Sequence, residues 1–230
     1  MIISTSSSRH WLWLSLFTFI LLLLQSVGGF YINTFAGGGI SMTDGVAATA
    51  ASLSNPYQTW IDSAETFMYI VDSNNCRVRK VSLTTATITT FAGTACTASS
   101  AGDGFAATAA AFYSPFGVCG DSIGHIYISE ASGLRVRVVN ASSSSSNHII
   151  KTYAGSGIYG FGGDLGLATA TAAQLANIQY VAVDTAGNLF IADIINCRIR
   201  KVRMVYTLVL VLLVIVRLSI DIEAIYSQHY

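Results

Sequence analysis

The side chains able to act as acids, bases, nucleophiles or metal ligands are scattered along the 230-residue chain. The four histidines stand apart from one another: His10, His125, His148 and His229. No His-Glu-x-x-His, Cys-x-x-Cys or Gly-x-Ser-x-Gly motif occurs, and the glycine-rich segments lack the Lys-Ser or Lys-Thr pair of a phosphate loop. The sequence therefore predicts a protein that is not an enzyme and has no catalytic residue, metal or cofactor.

One modification motif is present. Asn140, Ala141 and Ser142 form an acceptor sequence for N-glycosylation and open a serine-rich loop. If the chain is secreted, Asn140 is a candidate glycosylation site. An unmodified flexible loop is the equally weighted alternative.

Acids and glycines recur in a fixed order, because a segment of roughly sixty residues occurs three times. The copies begin at residues 35, 91 and 153 with an aromatic residue, Ala and Gly. In each copy one Asp precedes a Thr by five residues, a second Asp closes the next strand, and a further acid leads a turn. These acids are Asp44, Asp103, Asp164; Asp62, Asp121, Asp184; and Asp72, Glu130, Asp193.

The elements that carry these residues are short strands. In the third copy, apolar runs at 180–183 and 189–192 and a third predicted strand at 197–202 are separated by turn residues, and the first copy adds a β-branched run at 87–91. This pattern predicts four-stranded antiparallel sheets. Sheets of this kind repeated radially form a β-propeller, so the predicted fold class is all-β.

Basic residues follow each acid-led turn at equivalent positions: Arg77, Arg79, Lys80; Arg135, Arg137; Arg198, Arg200, Lys201. We interpret them as a solvated strand edge, with a basic stripe as the alternative. Asp72 and Asp193 are expected to accept backbone N–H bonds two or three residues on and to pair with the following arginine. With twelve basic and twelve acidic residues the net charge is zero, so we expect no nucleic-acid partner.

Cysteine positions limit the disulfide pattern. Cys76 and Cys197 occupy the same place in copies one and three, about two structural units apart, which disfavours their pairing because bridged Cα atoms lie within about 7 Å. Cys76 with Cys96 is the preferred pair. The sequence does not decide the connectivity, since four cysteines, including Cys119, permit three complete pairings.

The third copy resembles an NHL repeat over about fifteen ordered positions. Copy one is similar over residues 70–81, and copy two departs at Ser129-Glu130 and Leu134-Arg135. The resemblance covers residues 31 to about 203 and implies a propeller, usually of six blades, that serves as a rigid platform for proteins, RNA or glycans. The matching residues are Tyr180-Val181-Ala182-Val183-Asp184-x-x-Gly187-Asn188-Leu189-Phe190-Ile191-Ala192-Asp193-x-x-Asn196-x-Arg198-Ile199-Arg200-Lys201-Val202.

The two ends of the chain differ from the repeats. Residues 1–29 have a polar start, an apolar run and small residues suited to cleavage, which predicts a secretory signal peptide, with an uncleaved signal anchor as the alternative. Residues 204–220 are apolar and precede a tail at 221–230. We consider a transmembrane anchor, a buried strand or helix, and a tail that replaces the next blade.

Between these ends, residues 30–203 hold about three blades, at 35–90, 91–152 and 153–203. Three blades form an incomplete ring, so self-association or a partner chain is expected to cover the open edges. The predicted function is a secreted or cell-surface scaffold that binds a protein or glycan. The alternatives are a propeller-type metal-dependent lyase or hydrolase, and a truncated piece of a longer NHL protein without independent function.

The expected binding surface is formed by the blade-top loops at 38–44, 94–103 and 156–164. Tyr159 and Phe161, in the third of these loops, are the aromatic candidates for ligand contact. The preferred alternative is that they fill the space between blades.

Overall fold

The computed structural model describes residues 31–98, 100–140, 148–164 and 172–203. The predicted signal peptide, the apolar segment 204–220 and the tail lie outside these ranges. Residues 31–35 belong to a separate short unit and form no helix or strand. Among the described residues, no helix has the length and apolar character needed to cross a membrane.

In the described residues from Ala36 onward, the regular elements are strands and three 3₁₀ turns, connected by loops. The turns are Ala48–Ala50, Ser73–Asn75 and Ala107–Ala109. The strands are β1 (Val46–Ala47), β2 (Pro56–Ile61), β3 (Phe67–Asp72), β4 (Arg77–Ser82), β5 (Thr87–Ala92), β6 (Ala95–Cys96), β7 (Ala111–Phe112), β8 (Pro115–Gly120), β9 (His125–Glu130), β10 (Arg135–Asn140), β11 (Ile150–Ala154), β12 (Ile178–Val183), β13 (Leu189–Asp193) and β14 (Arg198–Val202).

Three antiparallel sheets follow one another along the chain. Blade 1 contains β2, β3, β4 and β5 with short β1 added outside β5; blade 2 contains β8 to β11; blade 3 contains β12 to β14 within the described residues. The first strands of the blades, β2, β8 and β12, lie side by side, and each later strand is further out. The all-β prediction of consecutive propeller blades is confirmed.

The two ends of each blade carry different kinds of loop. Because the strands alternate in direction, each long connection leaves an outer strand and enters an inner strand at the end where the turns 73–76, 131–134 and 194–197 lie, which we call the connection face. These connections are 37–55, 93–114 and 155–177, of which residues 99 and 165–171 are outside the described ranges, and β1 of the first connection runs along the outer strand β5. The hairpins 62–66, 121–124 and 184–188 lie at the other end, the hairpin face. The three loops predicted to bind ligand therefore share the connection face.

The recurring aspartates of the hairpin face close their own turns. Asp62 accepts the backbone N–H groups of Thr66 (2.6 Å) and Phe67 (3.0 Å). Asp184 accepts those of Ala186 and Asn188, at 3.0 and 2.8 Å. Carboxylates that accept nearby backbone donors fix tight turns, so these acids have a structural explanation.

In copies two and three, the aromatic-Ala-Gly sequence marks the point where the outer strand of a blade passes over a turn of the same blade. Gly93 and Gly155 have φ angles of +89° and +92°. A Cβ atom at Gly93 would lie 2.3 Å from the carbonyl oxygen of Cys76, and one at Gly155 would lie 2.2 Å from that of Leu134. Only glycine fits this close approach and this backbone conformation.

Apolar clusters fill the spaces between blades. One cluster joins blades 1 and 2 and includes Tyr69, Phe112 and Ile128, and a second joins blades 2 and 3 and includes Leu175 and Leu189. Sheets covered on both faces explain why these strands carry apolar residues in runs as well as in alternation.

A polar contact links all three inner strands. The amide nitrogen of Gln58 on β2 donates to the carbonyl oxygen of Val181 on β12 at 3.3 Å. Gly117 on β8 lies beneath it, and a Cβ there would be 2.9 Å from Gln58 Oε1 and 2.5 Å from the oxygen of Gln179. Ser129 donates to that same Gln179 oxygen at 2.8 Å.

The interpretation of the arginines as a solvated strand edge is wrong for the second arginine of each copy. Arg79, Arg137 and Arg200 are only 0%, 1% and 9% exposed. Each is paired with the aspartate of the connection that crosses its blade. These pairs are Arg79 with Asp44, Arg137 with Asp103, and Arg200 with Asp164.

The turn acids Asp72 and Asp193 have other partners than the sequence predicted. Asp72 accepts the N–H of Ser54 at 2.7 Å and Asp193 accepts that of Ala176 at 2.8 Å, so both tie the turn to the incoming connection eighteen or seventeen residues earlier. Asp193 pairs with Arg200 at 3.2 Å, seven residues on, and not with Arg198. These acids hold distant segments together because the turn and the connection end at the same face.

Candidate functional site

The connection face carries two neighbouring clefts at the boundary of blades 1 and 2. The larger, which we call the aromatic cleft, has a volume of about 490 Å³. The other, the threonine cleft, has a volume of about 440 Å³. Consecutive residues, Cys76 and Arg77, line one cleft each, and Gly93 of the threonine cleft packs against Cys76 and Phe112 of the aromatic cleft, so the two clefts are neighbours.

The aromatic cleft is lined by uncharged groups. Phe116, near the start of β8, stacks with Tyr57 of β2 at 4.0 Å between ring centroids. Tyr57 is 38% exposed, although it lies on an inner strand. The lining residues are Asn55, Ser73, Asn74, Cys76, Cys96, Thr97, Ala98, Phe112, Tyr113, Ser114 and Phe116.

A disulfide forms part of the wall of the aromatic cleft. Cys76 and Cys96 are bonded, with a Cα–Cα distance of 5.2 Å, and the bond joins the β3–β4 turn of blade 1 to the connection that leads into blade 2. Cys119 is a buried free thiol and Cys197 an exposed one. Burial, with a smaller contribution from Asp121, raises the pKa of Cys119 to about 12, so this thiol is a poor nucleophile at neutral pH.

The threonine cleft combines hydroxyl groups with one arginine and one aspartate. It is lined by Met42, Thr43, Asp44, Arg77, Thr90, Gly93, Thr94 and Thr108. Asp44 has partners within the chain: its Oδ1 accepts hydrogen bonds from Arg79 and from the Thr90 hydroxyl, both at 3.0 Å. Burial lowers the pKa of Arg79, while Asp44 and Asp72 act in the opposite direction. The ion pair therefore compensates the Asp44 charge from beneath the cleft.

The aromatic residues singled out from sequence lie on the third connection, away from both clefts. Tyr159 is 61% exposed and Phe161 is 45% exposed. Phe161 stacks with the guanidinium group of Arg198, at 3.9 Å from the ring centroid. Their role in ligand contact remains a prediction.

Asn140 ends β10 and is exposed. Since β10 starts at the connection face, Asn140 lies at the hairpin face. The rest of the serine-rich loop, 141–147, is outside the described residues. Glycosylation there remains a prediction, and a glycan at Asn140 would leave the connection face open.

A smaller cavity of about 220 Å³ lies at the hairpin face, lined in part by Trp60, Lys80 and Asp121. Its charged groups already have partners. The Lys80 ammonium lies 3.6 Å from the Phe67 ring centroid, and Asp121 contacts His125 Nδ1 at 2.8 Å. Within the described part of the chain, no group of three or more His, Cys, Asp or Glu side chains is placed to hold a metal ion.

Sequence reasoning missed Tyr57 and Phe116. The signal available was that each follows one of the chain's two prolines, Pro56 and Pro115, in equivalent places of copies one and two. It also missed the buried arginines, for which the signal was an acid seven residues earlier in every copy. The three acids are Asp72, Glu130 and Asp193.

Comparison with known proteins gives structural matches alone. No protein-family model and no curated protein matches the sequence. A Bacteroides thetaiotaomicron protein provisionally named a phosphatase is 19% identical with a TM-score of 0.50, over 66% of this chain and 35% of its own. The shared feature is the propeller-like fold.

Two further solved structures are less similar. An auxiliary nutrient binding protein from Bacteroides ovatus is 19% identical with a TM-score of 0.49, over 66% of this chain and 37% of its own. A streptogramin B lyase is 9% identical with a TM-score of 0.32, over 76% of this chain and 59% of its own. The chain thus spans about a third of the two Bacteroides proteins, and the likeness concerns the fold alone.

Proposed function

We propose that the chain is a non-catalytic scaffold of the NHL-repeat type that binds a glycan at the connection face. The aromatic cleft carries this proposal. The Phe116 ring, which stacks on Tyr57 outside the cleft, offers an apolar surface, and amide and hydroxyl groups surround it without a charged side chain among the lining residues. This combination suits a neutral polyhydroxylated ring, which has both apolar C–H faces and hydroxyl groups.

The shape of the cleft favours a glycan over a protein ligand. Its volume of about 490 Å³ lies within the range of roughly 300–1,000 Å³ that is usual for small-ligand sites. Protein partners generally require a broad contact of about 800 Å² per side. The Cys76–Cys96 disulfide supports a secreted or cell-surface setting, since such bonds persist in oxidising compartments.

Binding to an array of defined neutral oligosaccharides would test the proposal. We expect Phe116→Ser to weaken binding by about 10-fold or more, because the variant loses apolar contact with the sugar ring. Tyr180→Ser is the matched control, since Tyr180 is a half-exposed aromatic residue of β12 that does not line the cleft. Thermal unfolding of both variants would verify that they remain folded.

Two results would contradict this assignment. Failure to bind any oligosaccharide on the array would refute the glycan proposal. Loss of binding in Tyr159→Ser, with full binding in Phe116→Ser, would move the binding surface to the third connection.

A further inference from the structure

Equivalent arginines begin the third strand of every blade, and they have different surroundings. Arg77, Arg135 and Arg198 each follow a residue with left-handed backbone conformation, at Cys76, Leu134 and Cys197. Each guanidinium group lies at the connection face: Arg77 lines the threonine cleft, and Arg135 and Arg198 contact residues of the third connection. The three repeats thus provide an internal comparison of the same residue in three settings.

In blades 2 and 3 this arginine has a partner within the chain. Arg135 Nη2 donates to the carbonyl oxygen of Ser156 at 3.1 Å. Arg198 Nη1 donates to the oxygen of Asn196 at 2.7 Å and its guanidinium group stacks on Phe161. In both blades the hydrogen-bonding capacity of the arginine is at least partly used.

Arg77 lacks such a partner. No hydrogen bond, ion pair or ring contact joins its side chain to another residue in the described ranges, and its Nε is buried without an acceptor. A buried donor without an acceptor carries a desolvation cost, which an incoming acceptor would relieve. Arg77 lines the threonine cleft, where a ligand could supply that acceptor.

The segments near Arg77 and Arg135 differ in sequence and in backbone conformation. The Arg135 guanidinium lies directly over Gly157, where an added Cβ would be only 2.4 Å from Nη2. The aromatic-Ala-Gly alignment places Ala95 at the corresponding position of the second connection. Gly157 has a φ angle of +76°, whereas Ala95 belongs to strand β6, so the arrangement of Arg135 is not repeated and the Arg77 side chain lines the threonine cleft.

The cleft around Arg77 suits an oxyanion. Thr43, Thr94 and Thr108 bring hydroxyl groups to its wall, and Asp44 is paired with buried Arg79. Guanidinium groups bind carboxylate and sulfate oxygens through paired, charge-assisted hydrogen bonds. Asp44 does not form an ion pair with Arg77, whose charge is therefore available to a ligand.

We infer that Arg77 forms a subsite for a carboxylate or sulfate substituent of a glycan whose neutral ring occupies the aromatic cleft. The inference rests on the proposed glycan function and extends it, since Cys76 and Arg77, which are consecutive, line one cleft each. The preferred ligand is therefore an acidic glycan. Recognition involves binding alone, with no covalent step.

The first experiment measures binding of the full chain to a hyaluronan hexasaccharide, to its carboxyl-reduced form and to a 6-O-sulfated neutral hexasaccharide. We expect the acidic forms to bind about 10-fold or more tightly than the reduced form. Arg77→Gln should abolish this preference, and Arg198→Gln, the equivalent position in blade 3, should retain it. The ratio between the carboxylate and sulfate forms identifies which oxyanion is preferred.

A second measurement separates the subsite from the glycan proposal. Millimolar sulfate should raise the Tm of the wild-type chain and of Arg198→Gln more than that of Arg77→Gln, because a ligand that binds the folded state stabilises it. This result would support the subsite even if every hexasaccharide failed to bind. Equal stabilisation of all three proteins, or an acidic preference that survives Arg77→Gln, would overturn the inference.

Discussion

Replacing Arg137 by methionine should be among the most destabilising single changes in the chain. Arg137 is 1% exposed and donates to Glu130, which is fully buried, at 3.1 Å, and it also pairs with Asp103. Methionine fills a similar volume but leaves the Glu130 carboxylate without its cation. Removing one partner of a buried ion pair typically costs about 3–5 kcal/mol of unfolding free energy.

This cost is large enough to measure directly. With a urea dependence of about 2 kcal/mol per molar, the unfolding midpoint should fall by roughly 2 M. Equilibrium unfolding followed by tryptophan fluorescence and circular dichroism would give both values. Arg135→Met is the matched control, because Arg135 is on the same strand but donates to a backbone oxygen of the exposed connection. We expect it to cost about 1 kcal/mol or less.

A double variant tests whether the unpaired Glu130 charge causes the loss of stability in Arg137→Met. Glu130→Gln keeps an acceptor for the N–H of Tyr113, which lies 2.7 Å from the Glu130 carboxylate, and removes the buried negative charge. Arg137→Met with Glu130→Gln should therefore be more stable than Arg137→Met alone. If Arg137→Met costs less than 1 kcal/mol, or if the second change destabilises it further, the unpaired buried charge is not the cause.

Three further changes test other features of the fold. Gly93→Ala should lower stability by about 2 kcal/mol or more in urea unfolding, because its Cβ would lie 2.3 Å from the Cys76 oxygen; Gly104→Ala, which has open space at φ +85°, is the control. Replacing Cys76 and Cys96 together by alanine should cost about 3 kcal/mol in the same assay, since the bond closes a loop of 20 residues. Asp103→Asn should flatten the dependence of stability on pH below about pH 4, measured by thermal unfolding.

The direction of the pH effect expected for Asp103 follows from the groups around its carboxyl. Burial acts to raise the pKa of this carboxyl, but hydrogen bonds from Thr152 and the charge of Arg137 outweigh burial and lower it. Its contribution is present above the unfolded value of about 3.9 and is lost as the pH falls through the folded value. An unchanged acid profile in the asparagine variant would contradict this explanation. Equal losses of stability in Gly93→Ala and Gly104→Ala would contradict the explanation given for Gly93. An unchanged urea midpoint in the variant without the disulfide would contradict the explanation given for Cys76 and Cys96.

The strands were predictable from sequence because their signals are local. The strands predicted for the third copy have bounds within a residue or two of those of β12, β13 and β14. The hairpin aspartates lie where a turn requires a hydrogen-bond acceptor. The repeat fixed the order of these elements in all three copies. Local chemistry and repetition together are sufficient for the architecture of a blade.

The candidate site was not predictable in the same way, because it depends on contacts between blades. Tyr57 and Phe116 are stacked although they belong to different blades, and strand patterns do not specify which residues of two blades meet. The availability of Arg77 depends on the second connection, where Ala95 of β6 takes the place of Gly157 and the backbone follows a different course. Arg79 likewise pairs with Asp44 of the connection, 35 residues earlier, and periodicity within one strand does not describe such a contact.

The contact of Gln58 across Gly117 has a consequence for how the sequence can vary. A side chain at position 117 would displace Gln58 from Val181, and a shorter residue at 58 would leave space above the glycine. The two positions are therefore expected to change together in natural variants, although they lie in separate blades. A substitution that is tolerated in one blade then depends on a residue of another, so the repeats cannot diverge as independent units.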